Sequence, residues 1–499
     1  MTSSKLQKSS KLQPPENLKV SSRFRICHFK LAIFLSFGAC LLGFAPSAMA
    51  QDTDLNFLRW APTPPMGWNS WDSFGAGVTE TETRENTEYM AEKLRSHGWQ
   101  YIVVDIQWYE PQAHTDRYRR GAELVADANG RLMPAPNRFP SAEGGKGFKP
   151  LADYVHSKGL KFGIHLMRGI PRQAVDRDNS PILGTDLHAA DIADKVNVCR
   201  WNSDMYGVDM SKPGAQEYYD SVFALIASWD VDYVKVDDLS APNYHQPEVE
   251  AIRKAIDKTG RPMVLSTSPG ATPLNVGENV STHANLWRIS NDFWDQWVPL
   301  KEQFERCANW AKFTAPGHWP DADMLPFGAI RQWQANDNWT RFTKDEQIAV
   351  MSLWAMFRSP LMMGGHMPRN DEFTLSLLTN DEILAINQKS TGGRQLKREN
   401  DLIVWVADVP ESRDKYVALF NATDIILPTT NPTGRRGRGP IIAREGPAAE
   451  VVVSLKEVGF DGSVKVRDLW AGKDLGSING ELKRSIPYHG AGVYRISPE

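Results

Sequence analysis

The 499-residue sequence predicts a parallel (β/α)8 barrel followed by a small antiparallel β-domain, on three observations. Between Pro64 and Gln388 short β-rich runs alternate with amphipathic helical stretches, there are eight such runs, and beyond about residue 390 strand-like runs continue with only turns between them. Strands alternating with helices imply right-handed β-α units and a parallel sheet, and eight units suggest a closed barrel.

Residues 1–22 are polar and basic, and Arg23, Arg25 and Lys30 precede the apolar run "LAIFLSFGACLLGF", which ends in "APSAMA". That order reads as an export signal with a small-x-small cleavage site, so cleavage is expected after Ala50 and the mature protein is expected to be secreted or periplasmic. The run is short for a membrane span, which argues for a cleaved signal over an anchor. Cys40 raises a lipoprotein alternative, but "FGAC" lacks the usual aliphatic residue three positions before the cysteine. Cys199 and Cys307 are then the remaining cysteines, and spacing does not decide whether they pair.

The barrel domain is expected over 51–390. Its candidate strands are "PPMGWNSW", "YIVVDIQW", "LKFGIHLM", "DYVKVDD", "PMVLSTSP", "LWRIS", "FTAPGHW" and "SPLMMGG". Between them, 213–229 carries a stripe of Tyr218, Val222, Leu225, Ile226 and Trp229 at helical spacing, with Pro213 in the place of a first-turn proline. A second stripe, Val249, Ile252 and Ile256, ends at Gly260 as a helix stop. Over 391–499 the runs "LIVWVADV", "KYVALFN", "EVVVSL", "SVKVRDLW" and "GVYRIS" carry no amphipathic helix between them. The basic, glycine-rich "PTGRRGRGP" reads as a solvated turn.

Charge is close to balanced, with 57 Lys plus Arg against 60 Asp plus Glu. That argues against the basic face expected of a nucleic-acid binder. The 17 Trp and 20 Phe supply a large core, and abundant tryptophan also suits stacking on the apolar faces of sugars.

In a (β/α)8 barrel the active site lies at the carboxyl ends of the strands. Polar residues ending the apolar runs are Trp71, Asp105, His165, Lys235 with Asp237 and Asp238, Ser268, Arg288 with Asp292, and Asp321 with Asp323. A rim dominated by acids admits either a divalent metal or acid and nucleophile work on an acetal. The 11 histidines form no HExxH or His-x-His group, and the Lys235 ammonium beside Asp237 would repel a cation. No metal and no cofactor are therefore expected, and glycoside hydrolysis fits: two carboxyl groups for the acetal, with further acids and cations for the hydroxyls.

The stretches "PPMGWNSWDSFG", "YIVVDIQW", "VKVDD", "WRISNDFWDQW", "HWPDADML" and "SPLMMGG...DEILAINQ", in that order, resemble glycoside hydrolase family 27, the α-galactosidase and α-N-acetylgalactosaminidase family. The resemblance implies a barrel followed by an antiparallel β-sandwich and a retaining, cofactor-free exo-glycosidase acting on an oligo- or polysaccharide with a terminal α-galactosyl-type residue. By motif it implies Asp237 as nucleophile, Lys235 as a hydroxyl ligand that also lowers the Asp237 pKa, Asp292 as general acid and base, and Arg288 as a hydroxyl ligand. A retaining pair stands about 5 to 5.5 Å apart and its acid begins protonated. Asp105 falls on the acid that grips the 4-hydroxyl, Trp71 on the wall tryptophan, and Asp323 on a further site acid in preference to Asp321. Taken alone, Asp292 could instead be a helix N-cap and Asp237 a structural ion pair with Lys235.

Three departures bear on specificity. Ile106 stands where α-galactosidases carry a second Asp for the 6-hydroxyl, which suits a β-L-arabinopyranoside, a galacto-configured sugar without the hydroxymethyl group. Ser268 and Ala271 have the spacing of the serine and alanine that shape the C2 pocket of N-acetylgalactosaminidases. His165 replaces a usual tyrosine, with Arg168 close by. The alternatives are therefore the same mechanism with β-L-arabinopyranosidase, α-N-acetylgalactosaminidase or isomaltodextranase-like specificity and, from another class, a catalytically silent carbohydrate-binding protein.

Overall fold

The computed structural model describes residues 55–427 and 441–499. The signal segment 1–50, its cleavage point and the basic loop 432–440 lie outside the described residues. Among the described residues no helix is long and apolar enough to cross a membrane.

Eight parallel strands make one sheet: β1 (Met66–Asn69), β2 (Tyr101–Val104), β3 (Lys161–Met167), β4 (Tyr233–Asp237), β5 (Val264–Thr267), β6 (Leu286–Arg288), β7 (Trp319–Asp321) and β8 (Leu361–Met363). Their order is β7-β6-β5-β4-β3-β2-β1-β8. Just past β7, Leu325 bridges in parallel to Met363 of β8, with Leu325 N donating to Met362 O at 2.7 Å and Gly364 N to Leu325 O at 3.0 Å, so the ring closes. Each expected run contains its strand. In "FTAPGHW", however, only Trp319 is in β7, because Ala315 and His318 pair across their own tight turn and pairing to β6 begins at Trp319.

Helices α1 (Glu80–Tyr89), α2 (Lys149–Ser157), α3 (Ala215–Ser228), α4 (Gln246–Thr259), α5 (Trp297–Trp310) and α6 (Lys344–Phe357) run between strands. Thr79 opens α1 and Thr343 opens α6 with capping boxes to Glu82 and Glu346. Gly260 ends α4 at φ 69°, a left-handed position that glycine takes without Cβ strain. Pro213 lies before α3 and not in its first turn, since Gly214 is the N-cap.

The barrel strands are buried on both faces, so hydrophobicity alone does not show which side is which. Packing does. Tyr101, Val103, Tyr233, Val264, Leu286, Trp319 and Met362 form one cluster inside the ring, whereas Ile102, Val104, Val234, Val236, Leu265 and Trp287 join the core under the helices. Side chains alternate along a strand, so the inward parity continues at the carboxyl ends to Asn69, Asp105, His165, Lys235, Asp237, Ser268, Arg288 and Asp321.

The C-terminal region has a six-stranded antiparallel sheet in the order β9-β10-β11-β16-β13-β14, from β9 (Thr391–Glu399), β10 (Leu402–Asp408), β11 (Lys415–Asn421), β13 (Val464–Asp468), β14 (Lys473–Ile478) and β16 (Ala491–Pro498). A second sheet pairs β12 (Ala449–Ser454) with β15 (Glu481–Ile486). Val404, Val406, Val417 and Leu419 pack with Val451, Val453, Leu482 and Ile486 of that pair, and the alternate residues Ile403, Trp405, Ala418 and Phe420 join the barrel-side core. Two buried faces explain why "LIVWVAD" and "KYVALFN" are apolar without alternation. Among the described residues one short helix, Leu455–Val458, interrupts the expected all-strand pattern, capped by Ser454 and stopped by Gly459 at φ 104°.

Candidate active site

A cavity of about 560 Å³ opens at the carboxyl ends of the barrel strands, and Trp71, Asp105, Ile106, Lys235, Asp237, Arg288, Asp292 and Asp323 all line it. Asp237 ends β4 on the inward side, with its side chain 7% exposed. Lys235 Nζ lies 3.9 Å from its Oδ1, His165 Nε2 lies 3.0 Å from its Oδ2, and Ser268 Oγ donates to Oδ1 in a very short hydrogen bond. Burial alone would raise this carboxyl. The Lys235 ammonium, His165 and the Ser268 hydroxyl outweigh it and hold Asp237 well below the usual carboxylate range.

Lys235 also donates to Asp105 Oδ2 at 3.0 Å, and Asn69 Nδ2 donates to the same oxygen at 2.7 Å. Burial opposes the Lys235 charge, but Asp105 and Asp237 more than compensate and push its pKa up. The ammonium therefore stays charged between two acids.

Two strands further round the ring Arg288 Nη2 reaches Asp323 Oδ2 at 2.7 Å and Asp292 Oδ1 at 3.0 Å. Asp323 also accepts from Phe293 N at 2.6 Å. Burial, only partly offset by Arg288 and reinforced by Asp292 and Asp321, pushes the Asp323 carboxyl up to about 7. Asp321 does not line the cavity; its Oδ1 accepts from Asp323 N at 2.8 Å and fixes the turn that aims Asp323 inward. Asp292 sits on the loop after β6, its side chain 55% exposed. It caps no helix, because α5 begins at Trp297 with Gln296 as N-cap.

Three expected contacts fall elsewhere. His165 is completely buried beneath Asp237 and Ser268 is turned onto it, so neither lines the cavity. Ala271 is exposed outside the cavity, and the expected C2 pocket from Ser268 and Ala271 is not formed. Arg168 is buried against Asp238 at 2.7 Å and Glu248 at 2.6 Å, which also shows why the adjacent acid is not equivalent: Asp238 has the outward parity and a structural partner. Cys199 and Cys307 are both buried free thiols.

Several cavity residues escape a search for polar strand ends. Asp116, Tyr118 and Trp201 arrive on the long loops after β2 and β3, while Asn291, Phe293 and Trp294 come with the Asp292 loop. Trp71 and Tyr118 stack at 6.0 Å with planes 19° apart, and Tyr118 leads on to Trp201 at 5.5 Å. Asp72, next to Trp71 in the quoted motif, lines the cavity with Oδ2 buried and lacking a hydrogen-bond partner. Its carboxyl is pushed well up by burial, then by Asp323 and Asp292.

A closed parallel barrel with carboxylates on both walls of one pocket, and cations between further acids, defines the class of carboxylate-based glycosidases. The family model described as alpha galactosidase A matches residues 63–209 and 203–389, and that of the alpha galactosidase C-terminal beta sandwich domain matches 399–496. The chain belongs to this α-galactosidase family, glycoside hydrolase family 27, and is a glycoside hydrolase. Among solved structures it resembles a family 27 β-L-arabinopyranosidase from Geobacillus stearothermophilus (52% identity, covering 89% of this chain and 98% of that one, TM-score 0.83). It also resembles a protein from Bacillus halodurans described as a putative α-N-acetylgalactosaminidase (46%, covering 87% and 97%, TM-score 0.76). The α-galactosidase of Cyamopsis tetragonoloba is 28% identical over 454 residues, 87% of this chain and 86% of the relative.

Proposed function

We propose that this chain is a retaining exo-glycosidase for terminal galacto-configured residues and that its preferred glycone is β-L-arabinopyranose. In the first step an Asp237 oxygen attacks the anomeric carbon, forming the glycosyl ester, while the bond to the leaving oxygen breaks and that oxygen takes the proton of Asp292. In the second, water attacks the same carbon, gives its proton to Asp292 and releases Asp237 as carboxylate. The low pKa of Asp237 supports the first role, since an ionised carboxylate is the attacking species. Exposure supports the second, since Asp292 must reach leaving group and water in turn. Asp105 and Lys235, held together at 3.0 Å, present an acceptor and donors to adjacent ring hydroxyls, and Arg288 with Asp323 does the same on the facing wall.

Ile106 carries the choice of glycone. Its side chain forms part of the cavity wall and is 1% exposed, where the α-galactosidase pattern has an acid. A galactoside would bring its 6-hydroxyl against a branched alkyl group and lose a charge-assisted bond worth about 1.5 to 3 kcal/mol, whereas a pentopyranoside has no such group. The likeness to the Geobacillus arabinopyranosidase supports the same reading. With Ser268 on Asp237 and Ala271 outside the cavity, the N-acetylgalactosaminidase alternative loses its two residues. An α-galactosidase activity remains the second reading, favoured by the rest of the pocket. Residues 1–50 are read as an export signal on their composition alone.

Nitrophenyl β-L-arabinopyranoside and α-galactoside, compared by kcat/KM, test the proposal. The arabinopyranoside should be preferred, and Ile106→Asp should move the ratio toward galactoside by about tenfold or more, the scale of one charge-assisted bond. An unchanged ratio in a folded variant would remove Ile106 as the determinant.

A further inference from the structure

A larger groove of about 830 Å³ adjoins the catalytic cavity, and Tyr118 and Trp201 line both. Its walls come from the loops after β2 and β3 and from the short helix Arg172–Asp176. The acids along it already have partners. Asp176 takes Lys195 and Tyr206, each at 2.7 Å, Asp204 accepts from Gln107, Tyr109 and Asn202, and Glu123 pairs with Arg177 at 3.5 Å. Two arginines do not. The side chains of Arg120 and Arg200 are exposed and make no hydrogen bond or ion pair among the described residues, although both line the groove. Arg172 is already engaged, with Nε donating to Met205 O at 3.0 Å and the guanidinium over the Tyr206 ring at 4.8 Å.

Unpaired cations sharing one groove repel each other, and an anion between them removes that repulsion. A guanidinium fork matches the two oxygens of a carboxylate better than any neutral hydroxyl pattern. The row Trp71, Tyr118, Trp201 leads from the catalytic pocket into the groove, and Trp201, 38% exposed, offers a flat face for a sugar.

We propose that this groove is the aglycone subsite and that it selects a leaving sugar bearing a carboxylate, a hexuronate, held by Arg120 and Arg200 and stacked on Trp201. The substrate class is then an acidic glycan carrying terminal galacto-configured residues. This rests on the assignment of the catalytic pocket above, but its test is separable. Two disaccharides with the same terminal arabinopyranosyl residue, one linked to glucuronate and the other to its methyl ester, are compared on the full chain. The acid should be cleaved with about tenfold higher kcat/KM at low ionic strength, through KM, and the advantage should shrink as salt is added. In the double variant Arg120→Ala, Arg200→Ala the advantage should vanish while turnover of neutral nitrophenyl arabinopyranoside is unchanged. Equal rates on acid and ester in the parent enzyme, or an advantage that survives in the double variant, would overturn the proposal. Failure to cleave any of the neutral aryl glycosides would overturn the catalytic reading instead.

Discussion

Asp237 and Asp292 face one cavity from opposite kinds of structure. Asp237 closes a barrel strand, 7% exposed, with Lys235, His165 and Ser268 all on its oxygens. Asp292 rides a loop, 55% exposed, with Arg288 as its ion-pair partner. The difference matches two chemical tasks. A nucleophile gains from a fixed position and a fixed charge, because reorganisation at the moment of attack is then small. An acid that becomes a base must exchange its proton with a departing group and an arriving water, and a loop open to solvent permits that.

Removing the fixed charge should have the largest effect. Asp237→Asn should lower kcat by roughly 10⁴-fold or more, because an amide can neither attack nor balance an oxocarbenium-like charge. Circular dichroism should show a retained fold. Asp238→Asn should spare more activity than Asp237→Asn, and the reverse order would mean that the parity of this strand is misjudged.

The exposed partner should fail more selectively. Asp292→Ala should slow substrates with poor leaving groups by about 10² to 10⁴-fold while activated aryl glycosides lose far less, since the latter depart without full protonation. Equal losses on both would contradict the acid assignment.

The smallest expected effect concerns stability, at the Arg288 wall that Asp292 shares with Asp323. The Asp323 carboxyl is raised to about 7 from its ordinary 3.8, so its folded form prefers the proton. Its favourable contribution is complete below the unfolded pKa and is lost as pH climbs through the folded one. The parent Tm should therefore fall between about pH 4 and pH 7 more steeply than that of Asp323→Asn. Parallel Tm profiles would show that Asp323 does not titrate in that window.

The same contrast explains what could be read without coordinates. Lys235 and Asp237 are legible because they lie two apart at the end of a strand whose inward parity Tyr233 begins. His165 and Ser268 carry the same parity as the sugar-facing candidates, yet both sit beneath Asp237, and no strand pattern distinguishes a ligand from its support. Tyr118 and Trp201 lie on long loops without periodicity, so nothing in the sequence brought them to the cavity. Ile106 was legible only as a departure from a motif. In the C-terminal region β10 and β11 stood out because both faces are buried, whereas β9, β14 and β15 did not. "KDLGSI" is exposed through Gly476 and Ser477, as polar edge strands are, and it lacks the hydrophobic signature that marks an inner strand.

On the proposed mechanism, the inward parity of β4 makes Asp237 the residue that bonds to the sugar. A fluorinated arabinopyranosyl donor with a fluoride leaving group, which slows breakdown of the glycosyl ester, should add one sugar mass to the intact chain, and peptide mapping should find it on Asp237. A label on Asp238 or Asp292, or complete turnover with inverted product and no label, would contradict the account.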